Sequence, residues 1–307
     1  MTHPHPLAGV YAAAVTPLLS ADDGDSILDL QSVPALLHFL ASRGCHGAAL
    51  FGTTGEGPSF SPAEREAVMR VALDARKSLN GFRLIAGTGT PSLSETIELT
   101  KLAFDLGYDA VLIVPPYYFR KAADDGLFNW FSEVIRKAVP ADRYVIGYHI
   151  PPLTGIGFSI ELLKRLKEAY PVQFAGIKDS SHDSEFARTL GETFGEDLVV
   201  LNGTDSYLQL AMQNKAAGCI TAPANIISPE LRKVWDLMNE GKDSTDAQRS
   251  VTEKRHALEK YPPFPPTLKA LLHRMYDLPR WIVQPPLEPL SAELEEKALQ
   301  EFEALQE

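Results

Sequence analysis

Apolar and polar positions along the chain follow two alternating patterns. Short apolar runs rich in β-branched residues are typical of buried strands, and between them lie longer segments whose apolar residues recur at helical spacing. The first pattern predicts eight strands, at residues 9–15, 47–51, 83–86, 110–114, 144–149, 174–178, 198–201 and 218–221. The second predicts a helix after each strand, the first beginning after residues 25–26 and running to about residue 43, and the eighth ending near residue 239.

Eight consecutive strand–helix units predict a (β/α)8 TIM barrel, a fold of the α/β class. A doubly wound open sheet is the alternative, but no Gly-x-Gly-x-x-Gly motif follows the first strand. We expect the catalytic barrel domain to span residues 1–240. The helical periodicity of residues 241–307 predicts a C-terminal helical region packed on the barrel. Proline-rich breakers separate its helices.

The composition narrows the classes of partner. The 307 residues are 45% hydrophobic and 22% charged, as in soluble globular enzymes. The net charge of −11 argues against nucleic acid or an anionic membrane as partner, although a small anionic substrate remains compatible with it. The chain has no apolar run of ~20 residues, and its start has no basic segment followed by an apolar one, so we expect a cytoplasmic protein.

The two cysteines, Cys45 and Cys219, lie in apolar strand-like runs. Buried free thiols are therefore expected rather than a disulfide. Two cysteines and scattered histidines show no metal-ligand spacing, so no metal site is predicted.

Lys178 ends the sixth predicted strand, directly after an apolar run. Burying an ammonium group costs free energy, and desolvation lowers the pKa of a buried lysine. A lysine held neutral is a nucleophile for carbonyl carbon and forms Schiff bases. The local sequence leaves open a plainer reading, in which Lys178 reaches solvent or pairs with Asp179.

Other polar residues follow neighbouring strands, at the barrel end where such enzymes place their sites. The loop at 52–56 reads Gly-Thr-Thr-Gly-Glu, and its N–H groups and two hydroxyls suit a small carboxylate, although alone it is equally a plain turn. Tyr148 can move protons in the barrel mouth or complete a packing layer. Strand alternation places His149 on the opposite side, so we predict a structural role for it. The adjacent Tyr117 and Tyr118 are more typical of an interface than of a site.

A carboxylate cradle, a phenol and a desolvated lysine together fit one chemistry. They predict an enzyme that binds a 2-keto acid as an imine and passes to its enamine, which forms or breaks a carbon–carbon bond. No phosphate cradle and no Ser-His-Asp arrangement competes with this interpretation.

With these motifs, the sequence resembles the dihydrodipicolinate synthase and N-acetylneuraminate lyase family of class I Schiff-base aldolases. The matches run in family order over nearly the whole chain. They are Gly-Thr-Thr-Gly-Glu at 52–56, Ile-Ala-Gly-Thr-Gly at 85–89, Pro-Tyr-Tyr at 116–118, Tyr-His-Ile-Pro at 148–151, Gly-Ile-Lys-Asp at 176–179, Asn-Gly at 202–203 and Thr-Ala at 221–222.

The resemblance implies a barrel with a C-terminal helical region, usually assembled as a homotetramer. It implies that Lys178 forms the Schiff base, that Tyr148 relays protons, and that no cofactor is needed beyond the covalent imine. Thr54 would connect Tyr148 to Tyr118 of a neighbouring subunit.

The resemblance also implies a set of substrate-binding residues. Thr53 and Thr54 would hold the carboxylate of the keto acid, and Gly203 and Ile220 would contact the keto acid through backbone groups. The remaining candidates at the mouth are Gly52, Ser180, Leu153 and Asp205, of which Asp205 either binds substrate hydroxyls or caps the next helix. Glu56 is expected to be a structural hydrogen-bonding residue.

One departure from the family pattern concerns the second substrate. Dihydrodipicolinate synthases carry an arginine after the Tyr-x-x-Pro turn, and that position here is Leu153. Leucine cannot make the bidentate contact that grips a carboxylate. The sequence therefore predicts a lyase acting on pyruvate and a 2-keto-3-deoxy sugar acid. The alternatives are a 4-hydroxy-tetrahydrodipicolinate synthase using pyruvate and aspartate semialdehyde, a dehydratase of the same family, or a non-catalytic keto-acid-binding barrel.

Overall fold

The computed structural model describes residues 4–21 and 24–305. Within them the strands are β1 Gly9–Ala13, β2 Leu18–Ser20, β3 Ser26–Leu28, β4 Gly47–Leu50, β5 Arg83–Gly87, β6 Ala110–Ile113, β7 Tyr144–His149, β8 Phe174–Asp179, β9 Val199–Asn202 and β10 Gly218–Thr221. The helices are α1 Val33–Ser42, α2 Pro62–Arg76, α3 Leu93–Leu106, α4 Asp124–Ala138, α5 Pro151–Thr154, α6 Ile160–Ala169, α7 Ser184–Phe194, α8 Leu208–Gln213, α9 Ala224–Asn239, α10 Thr245–Glu259, α11 Phe264–Tyr276 and α12 Ala292–Glu303.

Eight of these strands close a parallel barrel in the order β1-β4-β5-β6-β7-β8-β9-β10, and β10 returns to β1. Every pairing around the barrel is parallel, so all eight strands end at the same side of the barrel. The predicted eight-stranded barrel is thereby confirmed.

Side chains alternate between the inside of the barrel and the shell of helices around it. In β1, Tyr11 and Ala13 pack inside the barrel, whereas Val10 and Ala12 pack beneath the helices. Burial on both faces explains why these strands are apolar throughout rather than alternating with polar residues. The barrel therefore has a packed core, and only its carboxyl-terminal mouth is open to chemistry.

The first helix differs from its prediction. Residues 26–28 form β3, which pairs antiparallel with β2, and α1 begins only at Val33. Pro34 stands in the first turn of α1, where its missing N–H costs nothing. In a helix begun directly after residues 25–26 the same proline would lie in the interior and break a hydrogen bond. The prediction that the helix begins there was therefore wrong.

The C-terminal helices pack on one another and on the last barrel helix. α10 lies against α9, α11 contacts α9 and α12, and α10 also contacts the turn after β9. This last contact brings the C-terminal helices to the side of the barrel where the strands end.

Cys45 and Cys219 are buried free thiols, as predicted. Burial raises the pKa of the Cys45 thiol to about 12, so Cys45 is unreactive at neutral pH. None of the helices in residues 4–21 and 24–305 is long and apolar enough to cross a membrane. The expectation about the chain start rests partly on residues 1–3, which lie outside the described residues.

Candidate active site

Lys178 and Tyr148 meet at the barrel mouth because their strands are neighbours. β7 and β8 pair in parallel with Tyr148 opposite Lys178. The Lys178 Nζ lies 4.1 Å from the centroid of the Tyr148 ring. Both side chains are buried, Lys178 to 4% exposure, and both line one cavity. The amine and the phenol predicted to act together are therefore brought together.

An irregularity in β8 directs Lys178 inward. The pairing of β8 with β7 skips one residue at Ala175, as at a β-bulge. Ala175 packs inside the barrel and Ile177 packs beneath the helices, although simple alternation would put both on the same face. Uninterrupted alternation from Phe174 would place Lys178 on the helix side of the barrel, and the bulge returns it to the inside.

The pairing of Lys178 with Asp179 that the local sequence left open is not formed. The Asp179 carboxylate accepts a hydrogen bond from the backbone N–H of Ser181 at 3.0 Å. Among the described residues, no carboxylate lies within ion-pair distance of the Lys178 amine. The Lys178 amine is therefore not held in an ion pair, and it is open to a carbonyl carbon in the cavity.

The loop after β4 places Thr53, not Thr54, against Tyr148. The Thr53 Oγ1 lies 3.2 Å from the Tyr148 hydroxyl, at hydrogen-bond distance. Thr54 is buried and also lines the cavity, but its hydroxyl has no partner among residues 4–21 and 24–305. The expected contact between Thr54 and Tyr148 was therefore wrong. These residues follow the strand in a tight turn that begins at Phe51 with a positive φ of 57°, where strand alternation no longer sets side-chain direction.

Two buried cations hold this loop in place. Arg65 Nη2 donates to the Gly57 carbonyl at 2.5 Å, and Lys269 Nζ donates to the Glu56 Oε1 at 2.5 Å. The Glu56 Oε2 accepts from the backbone N–H of Gln284 at 2.7 Å. Glu56 is thus a structural hydrogen-bonding residue, as predicted, and it ties the loop to the C-terminal region.

Residues from β8, β9 and β10 complete the cavity wall. Ser180, Gly203 and Ile220 all line the cavity that contains Lys178. A Cβ at Gly203 would lie 1.9 Å from the Ser180 Oγ and 2.9 Å from the Asp179 carbonyl oxygen, so the backbone after β8 leaves no room for a side chain there.

Asp205 does not contact the cavity as a substrate-binding residue would. It is fully buried, and its Oδ2 accepts from Arg255 Nη1 at 2.7 Å. The expectation of a direct contact with substrate hydroxyls was wrong, because the partner from α10 covers the carboxylate. Arg255 itself lines the cavity instead.

Leu153 lies on the short helix α5, which follows β7 directly. It is 61% exposed and lines the cavity with Lys178. It also lines a neighbouring cavity, which contains Gly52. The position in which the synthase pattern has an arginine is thus at the mouth, and here it is apolar.

The cavity around Lys178 has a volume of about 420 Å³, and the neighbouring one has about 350 Å³. The two share Thr53, Tyr148 and Leu153 in their walls. Several residues of the C-terminal region also line the cavity around Lys178, and the sequence alone did not indicate them: Arg255, Glu259, Pro262, Pro263, Phe264 and Pro265. Of these six residues, only the prolines give a signal in the sequence, because a proline-rich run marks a tight turn.

His149 has the structural role predicted for it. Its Nδ1 accepts the backbone N–H of Phe158 at 2.9 Å, and its ring stacks on Phe186 with centroids 4.5 Å apart. Burial lowers the pKa of His149 to about 4, although Asp183 opposes the shift. It is therefore a neutral packing residue outside the mouth.

The two tyrosines after β6 differ in exposure. Tyr117 is half-buried and lines the neighbouring cavity, and burial raises its pKa against the opposing charge of Arg65. Tyr118 is 76% exposed, and its ring meets Phe119 edge-on with centroids 5.3 Å apart. Within the described part of the chain, the Tyr118 hydroxyl has no hydrogen-bond partner.

Known proteins are similar to this chain in sequence and in fold. The profile of the dihydrodipicolinate synthetase family matches residues 6–305. The chain is 37% identical over 285 residues to an uncharacterized DapA-like lyase of Chloroflexus aurantiacus, an alignment that covers 93% of this chain and 92% of the relative. It is 32% identical over 273 residues to the 4-hydroxy-tetrahydrodipicolinate synthase of Thermus thermophilus, covering 88% of each.

Solved structures agree with the sequence relatives. The crystal structure of dihydrodipicolinate synthase from Agrobacterium tumefaciens superimposes with a TM-score of 0.86 at 32% identity, covering 97% of this chain and 99% of the other. That of dihydrodipicolinate synthase from Cyanidioschyzon merolae, with lysine bound, superimposes with a TM-score of 0.89 at 26% identity and covers 98% and 99%. The chain therefore belongs to the dihydrodipicolinate synthetase family, and it is an enzyme of the lyase type.

Proposed function

We propose that this protein is a class I lyase that binds pyruvate as an imine on Lys178 and cleaves or forms 2-keto-3-deoxy sugar acids. The observation that carries the proposal is the buried Lys178 amine, which has no carboxylate partner among the described residues and lies beside Tyr148 at the barrel mouth. A lysine amine that lines the cavity and has no carboxylate partner is positioned to attack the carbonyl carbon of a keto acid and form an imine.

The reaction needs no group beyond the side chains of the site. The neutral Lys178 amine adds to C2 of the keto acid, and the C2 oxygen leaves as water after taking up two protons. In the cleavage direction, a base then removes the proton of the C4 hydroxyl, the C3–C4 bond breaks and its electron pair enters the imine to give an enamine. Protonation at C3 and hydrolysis release pyruvate and restore the amine. Tyr148 is the proton carrier for these steps, since its hydroxyl lies at the mouth within hydrogen-bond distance of Thr53.

The loop that carries Thr53 and Thr54 is proposed to bind the keto acid carboxylate. Both residues line the cavity together with Lys178. Hydroxyl and N–H donors held by a rigid loop favour a negative charge at that point. The buried contacts of Arg65 and Glu56 supply that rigidity.

Leu153 supports a substrate other than aspartate semialdehyde. An exposed leucine at the mouth offers no partner for a second carboxylate. The second candidate is the synthase reaction with pyruvate and aspartate semialdehyde, which is favoured by the names of relatives such as the synthase of Thermus thermophilus. A dehydratase of the family would also form the imine on Lys178. A non-catalytic keto-acid-binding barrel would use only the carboxylate-binding loop that carries Thr53 and Thr54.

The protein is also proposed to assemble into a homotetramer in which Tyr118 enters a neighbouring site. The exposed, adjacent aromatic rings of Tyr118 and Phe119 support this, because large apolar side chains are concentrated at interfaces.

Borohydride trapping tests the imine. The protein is incubated with pyruvate, reduced, and its intact mass measured, followed by peptide mapping. The expected result is one adduct on Lys178 with the mass of pyruvic acid less one oxygen atom. An unmodified protein, or an adduct on another lysine, refutes the proposal.

Turnover assays separate the two candidate reactions. We expect a panel of 2-keto-3-deoxy acids to release pyruvate, and aspartate semialdehyde to be a poor acceptor. Efficient condensation of pyruvate with aspartate semialdehyde would show that the synthase reaction is the correct one. If the imine forms but no acid in the panel is turned over, the remaining interpretation is a non-catalytic keto-acid-binding barrel.

A further inference from the structure

A second group of polar side chains lines the cavity of Lys178, and it comes from the C-terminal helices. Arg255 and Glu259 lie on the last turns of α10, four residues apart and therefore on one face of the helix. Phe264 begins α11 and lines the same cavity. The steps proposed for the keto acid at Lys178 use none of these three residues.

The Arg255 guanidinium is held rigidly at the cavity wall. Its Nη1 donates to Asp205 at 2.7 Å, its Nε donates to Glu259 at 2.7 Å, and its plane lies over the Phe264 ring at 4.8 Å from the centroid. The Arg255 side chain is only 6% exposed, yet its Nη2 has no acceptor within residues 4–21 and 24–305. The Nη2 is not sealed from solvent, so a ligand or a water in the cavity can accept a hydrogen bond from it.

The two carboxylates bonded to Arg255 disfavour a second anion at this donor. Arg255 contributes one positive charge, and the carboxylates of Asp205 and Glu259 contribute two negative charges, so the group carries a net −1. Glu259 is 41% exposed and lines the cavity, so its carboxylate would oppose an incoming negative charge. A hydroxyl group suits both Arg255 and Glu259, because it accepts a hydrogen bond from a guanidinium N–H and donates one to a carboxylate.

We propose that Arg255 and Glu259 form a hydroxyl-recognising subsite that selects substrates ending in a neutral polyol over those ending in a second carboxylate. The inference rests on the proposed function, since it concerns the part of the substrate beyond the keto acid held at Lys178. The cavity volume of about 420 Å³ leaves room for that part, because it falls within the range of roughly 300–1,000 Å³ occupied by ligands larger than a three-carbon acid.

The test compares two six-carbon 2-keto-3-deoxy acids of the same stereochemistry, one ending in a hydroxymethyl group and one in a carboxylate. Disappearance of each acid is followed by chromatography, which registers cleavage and dehydration alike. The native enzyme is expected to favour the hydroxymethyl-ended acid in kcat/KM. Glu259→Gln removes the opposing charge and is expected to reduce that preference about tenfold, the effect of one charged hydrogen bond.

Glu253→Gln is the matched control. Glu253 is exposed on the same helix but does not line the cavity, so its loss makes the same change in net charge at a distance. Arg255→Lys keeps the charge facing Asp205 but loses the guanidinium donors, and it is expected to raise KM for the hydroxymethyl-ended acid about tenfold with little change in kcat.

Borohydride trapping of pyruvate on each variant separates the two proposals. If no imine forms on the native enzyme, the proposed function fails. If the imine forms but the carboxylate-ended acid is used equally well, or neither acid is used, the polyol subsite is refuted. It is also refuted if Glu253→Gln shifts the preference as much as Glu259→Gln does.

Discussion

At the scale of single residues, the two threonines of the loop after β4 are expected to have separable effects. Thr53→Val removes the hydroxyl that lies 3.2 Å from Tyr148 and preserves the side-chain shape. One hydrogen bond to the proton carrier is worth about tenfold in rate, so kcat should fall by about that factor. The inhibition constant of pyruvate should rise less, because Thr54 and the N–H groups of the loop still face its carboxylate. Steady-state kinetics of pyruvate release from a 2-keto-3-deoxy acid, with pyruvate as product inhibitor, give both constants.

Thr54→Val is the paired variant, because Thr54 lines the same cavity without touching Tyr148. Its effect is expected on the binding of pyruvate, with kcat close to that of the native enzyme. A larger loss of kcat in Thr54→Val than in Thr53→Val would show that the contact between Thr53 and Tyr148 is not the one used in catalysis.

The sequence indicated which residue types meet at the mouth but not every atom that they contact. Lys178 and Tyr148 follow from their places at strand ends. The inward direction of Lys178 depends on the bulge in β8, and no residue pattern in an apolar run marks where a strand gains one residue. Asp205 was misread for a related reason: its partner, Arg255, lies 50 residues further along the chain. Local patterns carry no information about such contacts.

At the scale of elements, a buried ion pair connects the loop after β4 to α11. The side chains of Lys269 and Glu56 are 1% and 0% exposed. Lys269→Met leaves the Glu56 carboxylate buried without its cation, so we expect a loss of roughly 3–5 kcal/mol in the free energy of unfolding. Activity should fall as well, since Glu56 and Thr53 share the loop. Chemical denaturation and kcat measure the two effects.

The double variant and a surface pair supply the controls. Glu56→Gln with Lys269→Met should lose less stability than the two single changes together, because no unpaired charge remains. Lys77→Met breaks a pair whose side chains are both 77% exposed, and it should cost under about 1 kcal/mol. Two outcomes would contradict a stabilising role for the Lys269–Glu56 pair. One is a loss of unfolding free energy in the double variant equal to the sum of the losses in the two single variants. The other is a loss in Lys269→Met no greater than that in Lys77→Met.

Strand and helix periodicity predicted most elements well, because burial on both faces gives each barrel strand a continuous apolar run. The exception is the region before α1, where residues 26–28 pair with β2. Three residues are too short for a strand pattern to emerge, and the neighbouring leucines fit a helical period as well. Pro34 was the one signal in the sequence that placed the start of the helix later.

At the scale of the whole molecule, the buried His149 and the partly buried His46 are expected to limit stability in acid. The Nδ1 atoms of His149 and His46 accept backbone N–H groups of Phe158 and Val10, each at 2.9 Å, so both rings are held neutral. Burial lowers the pKa of each from 6.5 to about 4. Below pH 6.5 the unfolded chain binds protons that the folded chain does not, so the free energy of unfolding should fall from pH 6.5 to pH 4. The loss is at most about 3 kcal/mol per histidine.

Denaturation curves at several pH values measure this slope. His149→Asn retains an acceptor near the Nδ1 position but cannot be protonated, so its stability should depend less on pH in that window than that of the native protein. An identical pH dependence in the native protein and in His149→Asn would show that His149 does not contribute.

Assembly is the last prediction, and complementation between inactive variants tests it. Tyr118 is exposed and its hydroxyl has no hydrogen-bond partner within the described residues of its own chain, whereas Lys178 and Tyr148 belong to one site in one chain. Tyr118→Phe should lower kcat about a hundredfold if its hydroxyl carries protons in a neighbouring site, and Lys178→Arg should abolish turnover, since a guanidinium forms no imine.

When the two variants are unfolded, mixed and refolded together, a Tyr118→Phe chain retains Lys178 and receives an intact Tyr118 from its Lys178→Arg neighbour. Activity should therefore rise above that of either variant alone. Mixing Tyr148→Phe with Lys178→Arg should restore nothing, because no site then contains both residues. Equal behaviour of the two mixtures, or full activity in a monomer by light scattering, would remove Tyr118 from the mechanism.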